Sequence, residues 1–308
     1  MPPLVIAVVG PTAAGKSELS LRLAQSVGGE VVNADSMQLY RGMDIGTAKL
    51  APPQRAGVPH HLLDIWDVSL PASVSEYQLL ARSAIEDILA RGRIPILVGG
   101  SGLYVRAAID NLEFPGTDPQ LRERLEGELA AAGPAALHAR LAGVDPAAAA
   151  AILAGNGRRI VRALEVIELS GRPFSASLPG YESVYQTVQI GLDVPRAELD
   201  SRIAERVSRM WRQGLVDEVR ALAGAGLREG RTARAAIGYA QVLRFLDGEW
   251  TEQEAAAQTV RATRRFVRRQ ESWFRRDPRI RWLAASEAGE GGGADLALAA
   301  IREAGAAG

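Results

Sequence analysis

The sequence predicts an α/β fold in which a parallel sheet is flanked by helices and interrupted by an all-helical insertion. Three observations predict it. An apolar run, Leu4 to Val9, enters a glycine-rich turn and then a helical pattern. The same order of strand, turn and helix returns around residues 93–104. Residues 116–183, which follow these two strand–turn–helix segments and precede a last predicted strand, show helical patterns without strand signals. Alternating strands and helices are typical of a parallel sheet, and the strand-free block is typical of an inserted helical domain.

The first glycine-rich turn matches the pattern G-x-x-x-x-G-K-[ST] at every fixed position. Its residues are Gly10, Pro11, Thr12, Ala13, Ala14, Gly15, Lys16 and Ser17. In such a loop successive backbone N–H groups point at a phosphate chain, and glycines let the backbone approach it closely. Lys16 then reaches the phosphate oxygens, and the Ser17 hydroxyl binds Mg²⁺. The motif predicts a P-loop NTPase-like sheet and a magnesium cofactor, and it leaves the phosphate compound open.

The second strand, Glu30 to Asp35, ends in a carboxylate and continues into Ser36, Met37 and Gln38. Ligands of open α/β sheets bind at the carboxyl ends of the strands, so we expect Asp35 to lie beside the phosphate loop. Asp35 is therefore a candidate general base or a partner of magnesium. A helix cap at the surface is the alternative, since Asp is favoured at that position.

The next elements follow the same plan. Residues 60–65 predict a third strand, in which Asp64 could assist magnesium through water. A helix is expected over 73–91, with Ser73 and Glu76 forming a capping box. Residues 93–98 predict a fourth strand, and the Gly-rich turn after it brings Ser101 to the same sheet edge as the phosphate loop.

The chain divides into a P-loop core, residues 1–115 and 184–308, and a helical insertion, residues 116–183. Residues 186–192 predict the return to the sheet. Helices are expected from there to Trp282, and the Gly- and Ala-rich tail beyond Glu287 is expected to be loosely held.

Composition limits the class of protein. The 308 residues carry no net formal charge and no cysteine, which excludes disulfides and thiol nucleophiles. No apolar run approaches the roughly 20 residues that span a bilayer, and the N-terminus lacks a signal-peptide pattern. We expect a soluble cytoplasmic protein without a membrane partner.

Residues 261–281 hold nine arginines against two carboxylates, a net charge of about +7, and aromatic residues lie between the arginines. That pattern is expected either at the solvated face of a helix or where a helix contacts nucleic acid.

Six motifs occur together in order and resemble the bacterial tRNA dimethylallyltransferases, also called tRNA isopentenyltransferases, over roughly residues 4–283. They are residues 10–17, 34–40 (ADSMQLY), 46–49 (GTAK), 99–104 (GGSGLY), 159–165 and 268–275 (RRQESWFR). Ser101 stands where threonine is usual, which keeps the hydroxyl. The resemblance implies that the loop holds dimethylallyl diphosphate and that the acceptor is N6 of adenosine 37 in tRNAs reading codons that start with U.

The resemblance also implies residue roles. Asp35 would accept the proton of the adenine amine, while Lys16 and Arg206, which aligns with a family arginine, would stabilise the departing diphosphate. The adenine must leave its stack to reach the site. Contacts to the tRNA anticodon stem-loop are implied for Asp35, Ser36, Met37, Gln38, Ser101, Arg122, Arg158, Arg159, Ile160, Val161, Arg162, Arg268, Arg269, Gln270, Trp273 and Arg275. We expect the enzyme to act as a monomer.

Three alternatives stay open at this point. A small-molecule or nucleoside kinase shares the same strand, loop and helix, with Asp35 activating a substrate hydroxyl. A relative that prenylates a free adenine nucleotide would need no arginine-rich surface. A non-catalytic RNA-binding protein would leave Lys16 and Ser17 without a role.

Overall fold

A computed structural model describes residues 4–174, 180–284 and 292–306. The chain forms two compact units, one made of Met1–Asp110 with Ser183–Gly308 and the other of Asn111–Glu182. No helix in the described ranges is both long and apolar enough to cross a bilayer.

Among the described residues of the first unit, six parallel strands form one sheet in the order β3-β2-β4-β1-β5-β6. They are β1 (Leu4–Val9), β2 (Glu30–Asn33), β3 (His60–His61), β4 (Pro95–Gly99), β5 (Gln186–Asp193) and β6 (Ile280–Ala284). The central strand β1 pairs with β4 on one side and β5 on the other. Because all strands run the same way, the residues that follow β1, β2 and β4 meet at one edge of the sheet.

Eleven α-helices occur in the described residues. They are α1 (Lys16–Val27), α2 (Val74–Ala90), α3 (Gly102–Ile109), α4 (Pro119–Val144), α5 (Pro146–Ala151), α6 (Gly157–Ser170), α7 (Arg196–Arg212), α8 (Leu215–Gly224), α9 (Tyr239–Leu246), α10 (Glu252–Phe274) and α11 (Gly292–Ala306). Helices α4 to α6 belong to the insertion and the others to the first unit.

The core of the first unit consists of aliphatic side chains from the sheet and from the helices packed on it. Ile6 and Val8 of β1 and Ile190 of β5 are fully buried, as is Leu23 of α1. A strand buried on both faces reads as a continuous apolar run, which is why β1 was recognisable in the sequence.

The insertion has an aliphatic core of its own, in which Leu125 and Leu141 of α4 pack with Ile160 and Leu164 of α6. Helix α4 is interrupted at Gly133, whose φ of 77° and ψ of 167° are not helical. Pro134 follows it, and proline cannot continue the preceding turn. The two residues therefore interrupt one helical element without separating it into two.

Three sequence predictions were wrong in detail. Residues 280–284 form β6 at the sheet edge, where helix had been expected. The tail residues 292–306 form α11, and Ala297 and Ile301 are buried in the core, so the described part of the tail is packed; residues 287–291 lie outside the described ranges. The third strand has only two residues, because pairing with β2 ends at His61.

The capping box at α2 is only half formed. The Ser73 hydroxyl accepts a hydrogen bond from the Glu76 backbone N–H, as predicted. The Glu76 carboxylate instead accepts from the indole N–H of Trp66 at 3.2 Å. A tertiary contact has replaced the local one.

Candidate active site

The phosphate-binding motif forms a tight turn between β1 and α1. Gly10 and Gly15 have φ values of 131° and 100°, and Ala13 has a φ of 65°. Left-handed backbone of this kind is strained for any residue with a Cβ, which explains the two glycines. Leu192 is a further reason at Gly10, since a Cβ there would lie 3.3 Å from its carbonyl oxygen. Alternating backbone conformations at the start of a helix form a concave set of N–H groups suited to an anion.

Lys16 is the first residue of α1, and its ammonium group donates to the Pro11 carbonyl at 2.7 Å. Burial lowers the pKa of Lys16 to about 8, the nearby charge of Asp35 opposes this shift, and that of Arg206 adds to it. The three residues predicted to be catalytic are therefore close enough to act on one another electrostatically. Two cations and one carboxylate give this site an excess of positive charge.

Asp35 lies in the turn after β2, and the turn is fixed by short polar contacts. Its backbone N–H donates to the Asn33 amide oxygen at 2.9 Å, and its Oδ1 accepts from the Met37 N–H at 3.0 Å. In the described structure Oδ2 has no hydrogen-bond partner. One carboxylate oxygen thus orients the group, and the other is available to a proton donor.

Arg206 projects from α7 and donates to the Thr47 carbonyl at 3.2 Å. The Gln38 amide donates to the same carbonyl at 3.1 Å, which brings the ADSMQ segment, the GTAK segment and α7 together. Burial lowers the pKa of Arg206, partly opposed by the charge of Asp35. One turn earlier on α7, Arg202 donates to the Ala13 carbonyl of the phosphate loop at 3.5 Å. Arg202 was missed, although its spacing of four from Arg206 places both on one helix face.

The second glycine-rich turn places Ser101 beside the Asp35 turn, where the hydroxyls of Ser101 and Ser36 are 3.4 Å apart. Its glycines have packing roles. A Cβ at Gly99 would lie 2.3 Å from the Ala34 carbonyl oxygen, and one at Gly100 would lie 2.3 Å from the Gln270 amide nitrogen. The close approach of neighbouring backbone and of α10 accounts for these glycines.

One face of α10 packs against these turns. Gln270 is buried, its amide oxygen accepts from the Thr12 N–H at 2.9 Å, and its nitrogen donates to the Gly100 carbonyl at 2.8 Å. The indole of Trp273 lies so close to Gly102 that a Cβ there would be 2.1 Å away. Both residues were predicted to contact tRNA; the structure places Gln270 as a bridge between the two glycine-rich turns.

The opposite face of α10 carries exposed arginines. Arg261, Arg265, Arg268 and Arg269 of α10, and Arg276 just after its end, are exposed, and within the described ranges none of them has an ion-pair partner. Arg275 differs, since it pairs with Asp193 and stacks over Trp282 at 4.1 Å. The exposed set defines an unpaired basic stripe, which we call the α10 arginine stripe.

In the insertion, Arg122 and Arg162 converge on a fully buried carboxylate, Glu165. Arg162 also donates to the carbonyls of Pro115 and Gly116, at 2.6 and 3.0 Å. Although burial alone would raise the pKa of Glu165, hydrogen bonds from Thr117 and Arg162 and the nearby arginine charges lower it below its ordinary value. Much of the donor capacity of Arg162 is used inside the insertion.

The other predicted residues of the insertion divide between surface and core. Arg158 and Arg159 are exposed at the start of α6. Ile160 and Val161 are buried in the core of the insertion, so their side chains pack there and do not face solvent.

The residues around the phosphate loop are compatible with a magnesium ion held chiefly by phosphate and water. Ser17 is exposed, and its hydroxyl has no hydrogen-bond partner in the described structure. Asp64 pairs with Lys49, which is buried and also donates to the Tyr40 carbonyl. Among the described residues no cluster of three or more His, Asp or Glu side chains forms a metal site.

A parallel sheet with a glycine-rich loop between its central strand and a helix defines the P-loop class of α/β proteins. Two family models narrow this class: the model described as IPP transferase matches residues 38–277, and that described as Isopentenyl transferase matches residues 3–59. The first covers well over half of the chain. The chain therefore belongs to the IPP transferase family, as its sequence motifs predicted.

Individual relatives agree with this assignment. The chain is 72% identical over 286 residues to a tRNA dimethylallyltransferase of Streptomyces avermitilis, covering 93% of this chain and 92% of the relative. It is 68% identical over 284 residues to one of Thermobifida fusca, covering 91% and 89%. Among solved structures, the tRNA isopentenylpyrophosphate transferase of Bacillus halodurans has a TM-score of 0.71 at 41% identity, covering 99% and 98%. A eukaryotic dimethylallyltransferase described as acting on tRNA has a TM-score of 0.83 at 26% identity, covering 96% and 78%.

Proposed function

We propose that this protein transfers the dimethylallyl group of dimethylallyl diphosphate to N6 of adenosine 37 in tRNAs that read codons starting with U. The observation that carries the proposal is the convergence of the phosphate loop, the turn that holds Asp35 and helix α7. Arg206 and Gln38 donate to the same Thr47 carbonyl, and Arg202 donates to the Ala13 carbonyl of the loop. The charges of Asp35 and Arg206 both act on the pKa of Lys16, in agreement with this proximity. In a family of tRNA prenyl-transferring enzymes, this arrangement supplies both a base and cations for a leaving group. The protein works in the cytoplasm as a monomer.

The leaving diphosphate binds at the loop. As the bond between the allylic carbon and oxygen breaks, the electron pair stays on the diphosphate oxygen. The growing negative charge is stabilised by the loop N–H groups, Lys16 and Arg206, which are already in place before the reaction. Their burial strengthens this effect, because charges interact more strongly where water is excluded.

Magnesium would be held by the Ser17 hydroxyl together with phosphate oxygens. When bound, it supplies additional positive charge against the diphosphate.

The acceptor amine of the adenine binds next to the Asp35 carboxylate. N6 of adenine forms the new bond to the allylic carbon and loses one proton, which Asp35 accepts through Oδ2. The hydrogen bond from Met37 to Oδ1 holds the carboxylate in orientation. An exocyclic amine is a weak nucleophile, so removal of its proton contributes directly to the rate.

Contact with tRNA is made by exposed basic side chains. The arginines of the α10 arginine stripe have no ion-pair partners in the described structure, so the stripe is suited to phosphate contacts. Arg158 and Arg159 contribute similarly from the insertion. The adenine reaches the site after leaving its stack in the anticodon loop.

The test is a paired incubation of the purified protein with magnesium and unmodified tRNA, with either dimethylallyl diphosphate or ATP. Nucleoside mass spectrometry of the RNA and phosphate analysis are read from both. We expect a dimethylallyl mass gain on adenosine only with the diphosphate, and none on a tRNA with guanosine at position 37. Transfer to free adenosine monophosphate instead of tRNA, or ATP consumption with a small hydroxyl acceptor and no prenylation, would contradict the proposal.

A further inference from the structure

The loop that carries Arg206's partner, Thr47, is itself held by a carboxylate from a different helix. Glu218 of α8 accepts hydrogen bonds from three consecutive backbone N–H groups, those of Asp44 at 3.2 Å, Ile45 at 2.7 Å and Gly46 at 3.2 Å. The Tyr239 hydroxyl donates to the same carboxylate. Bonds to an ionised acceptor are roughly twice as strong as neutral ones, so this is a strong anchor for one short segment.

Tyr239 supports the loop through its aromatic ring as well as through its hydroxyl. Its side chain is fully buried, and a Cβ at Gly46 would lie 2.4 Å from its ring. Burial and the charge of Glu218 raise the pKa of Tyr239, so its hydroxyl stays protonated and continues to donate. Gly46 of the GTAK motif is therefore explained by direct contact with the aromatic ring.

The residue after this anchored segment is the one that Arg206 contacts. The Thr47 carbonyl accepts from Arg206 and from Gln38, and the Thr47 hydroxyl donates to the Met43 carbonyl at 2.6 Å. A displacement of residues 44–46 must therefore move the carbonyl that orients the Arg206 guanidinium. Arg206 in turn acts on Lys16 and is acted on by Asp35.

We propose that Glu218 and Tyr239 are positioning residues, which fix residues 44–47 and thereby aim Arg206 at the diphosphate. They do not touch the substrate. The inference rests on the proposed function only in naming dimethylallyl diphosphate as the ligand; the anchoring itself is independent of the acceptor.

The test uses the full chain with Glu218→Gln and Tyr239→Phe, which keep the size of each side chain. Two matched controls remove similar groups elsewhere. Asp217→Asn changes the adjacent exposed carboxylate, whose one ion-pair partner among the described residues is Arg220, and Tyr185→Phe removes a hydroxyl that contacts Glu86. Calorimetry with magnesium and inorganic pyrophosphate as the probe measures the diphosphate site without catalysis.

We expect Glu218→Gln to weaken pyrophosphate binding about tenfold and Tyr239→Phe about threefold, since misplacement by a fraction of an ångström reduces an oriented interaction. The KM for dimethylallyl diphosphate should rise in parallel, while tRNA affinity changes less than about twofold. Both controls should match the unmodified protein.

The deciding measurement is a double-mutant cycle with Arg206→Ala. If Glu218 acts through Arg206, then Glu218→Gln should cost less than about twofold in pyrophosphate affinity once Arg206 is gone. The same cycle with Tyr239→Phe, which leaves the ring on Gly46, decides the matter if Glu218→Gln does not fold. Additive losses, or equal losses of pyrophosphate and tRNA affinity, would overturn the inference. Coupling in pyrophosphate binding without any prenyl transfer by the unmodified protein would overturn the proposed function and leave this inference standing.

Discussion

Lys16, Asp35 and Arg206 form a site whose chemistry depends on burial as much as on residue type. An exposed lysine is charged up to a pH well above neutral, whereas burial lowers the pKa of Lys16 to about 8. In the ligand-free protein a fraction of the Lys16 side chains is therefore neutral near physiological pH. A bound diphosphate would favour the charged form again.

The pKa of Lys16 predicts how pyrophosphate binding depends on pH. Below about pH 8 Lys16 is protonated and attracts the anion; above it the lysine is neutral, and affinity falls by up to about tenfold for each pH unit. Lys16→Arg keeps its charge over the same range and serves as the comparison. Calorimetry between pH 7 and 9.5 should show a steeper loss for the unmodified protein than for Lys16→Arg. If the pyrophosphate affinities of the two proteins fell equally with pH, loss of the Lys16 proton would not be the cause.

Asp35→Ala tests the general base. We expect the chemical step in single-turnover experiments to slow by about 10²–10⁴, the usual range for loss of a general base, while tRNA affinity stays within a few-fold. Asp67→Ala is a suitable control, because Asp67 is exposed and, in the part of the chain that the structure describes, its side chain pairs with Arg41 alone. An unchanged single-turnover rate would show that another group accepts the proton.

At the scale of the element, α10 has two faces with different partners. Gln270 and Trp273 pack on the glycine-rich turns, while Arg268 and Arg269 are exposed. The sequence placed all four in one nucleic-acid surface, because a helical arginine-rich run carries no sign of which face is buried.

Substitutions on the two faces of α10 should affect different substrates. Gln270→Ala frees the Thr12 N–H and should raise the KM for dimethylallyl diphosphate about tenfold with little effect on tRNA affinity. Arg268→Ala with Arg269→Ala should do the reverse, and should lower the slope of log affinity against log salt by about 1.5 in magnitude. Arg228→Ala is the control, since it removes an exposed pair with Asp247, and both residues lie outside α10 in the sequence. Equal effects of both changes on both substrates would contradict the division.

The insertion depends on Glu165, whose carboxylate joins α4, α6 and residue 117. Glu165→Gln leaves Arg162 and Arg122 with reduced compensation, and we expect a cost of about 3 kcal/mol in the free energy of unfolding. Because the pKa of Glu165 is lowered in the folded state, its contribution is complete above the ordinary glutamate pKa and is lost as the pH falls through the lowered value. Urea unfolding at pH 7 and pH 4 measures the loss of unfolding free energy and its dependence on pH. Glu123→Gln, an exposed change on α4, should alter neither quantity.

At the scale of the whole molecule, the chain leaves the first unit at Asp110 and rejoins it at Ser183. These two residues form a bridge, and Arg279, which precedes β6, donates to both side chains. Arg106 donates to the same fully buried carboxylate at 2.6 Å. One carboxylate thus ties together the two ends of the insertion's attachment and the last strand.

Asp110→Asn removes the charge that compensates Arg106 and Arg279. We expect a loss of about 3 kcal/mol in the stability of the first unit, because the two guanidinium groups are left with a weaker partner. Urea unfolding followed by tryptophan fluorescence measures it, with Asp217→Asn as the exposed control. A loss below about 0.5 kcal/mol would indicate that Asp277, which also pairs with Arg279, is sufficient.

Local patterns in the amino-acid sequence were enough to predict the P-loop class, the helices of the insertion and the family. These follow from local patterns: an apolar run and a glycine motif adjacent in the chain, and a lack of strand signals from 116 to 183. The position of Asp35 beside Lys16 was also accessible, because parallel strands bring their carboxyl ends to one edge.

The roles that depend on distant partners became visible only in the folded chain. Glu218 accepts from a backbone N–H 173 residues away, and Gln270 from one 258 residues away. The Tyr239 ring packs on Gly46, so none of the three residues carries a local signal of its function. Strand β6 was hidden within a basic region, and its pairing with β5 brings together residues far apart in sequence. Long-range contacts such as these fix which face of a helix is buried and which polar group is satisfied, and no pattern within one segment encodes them.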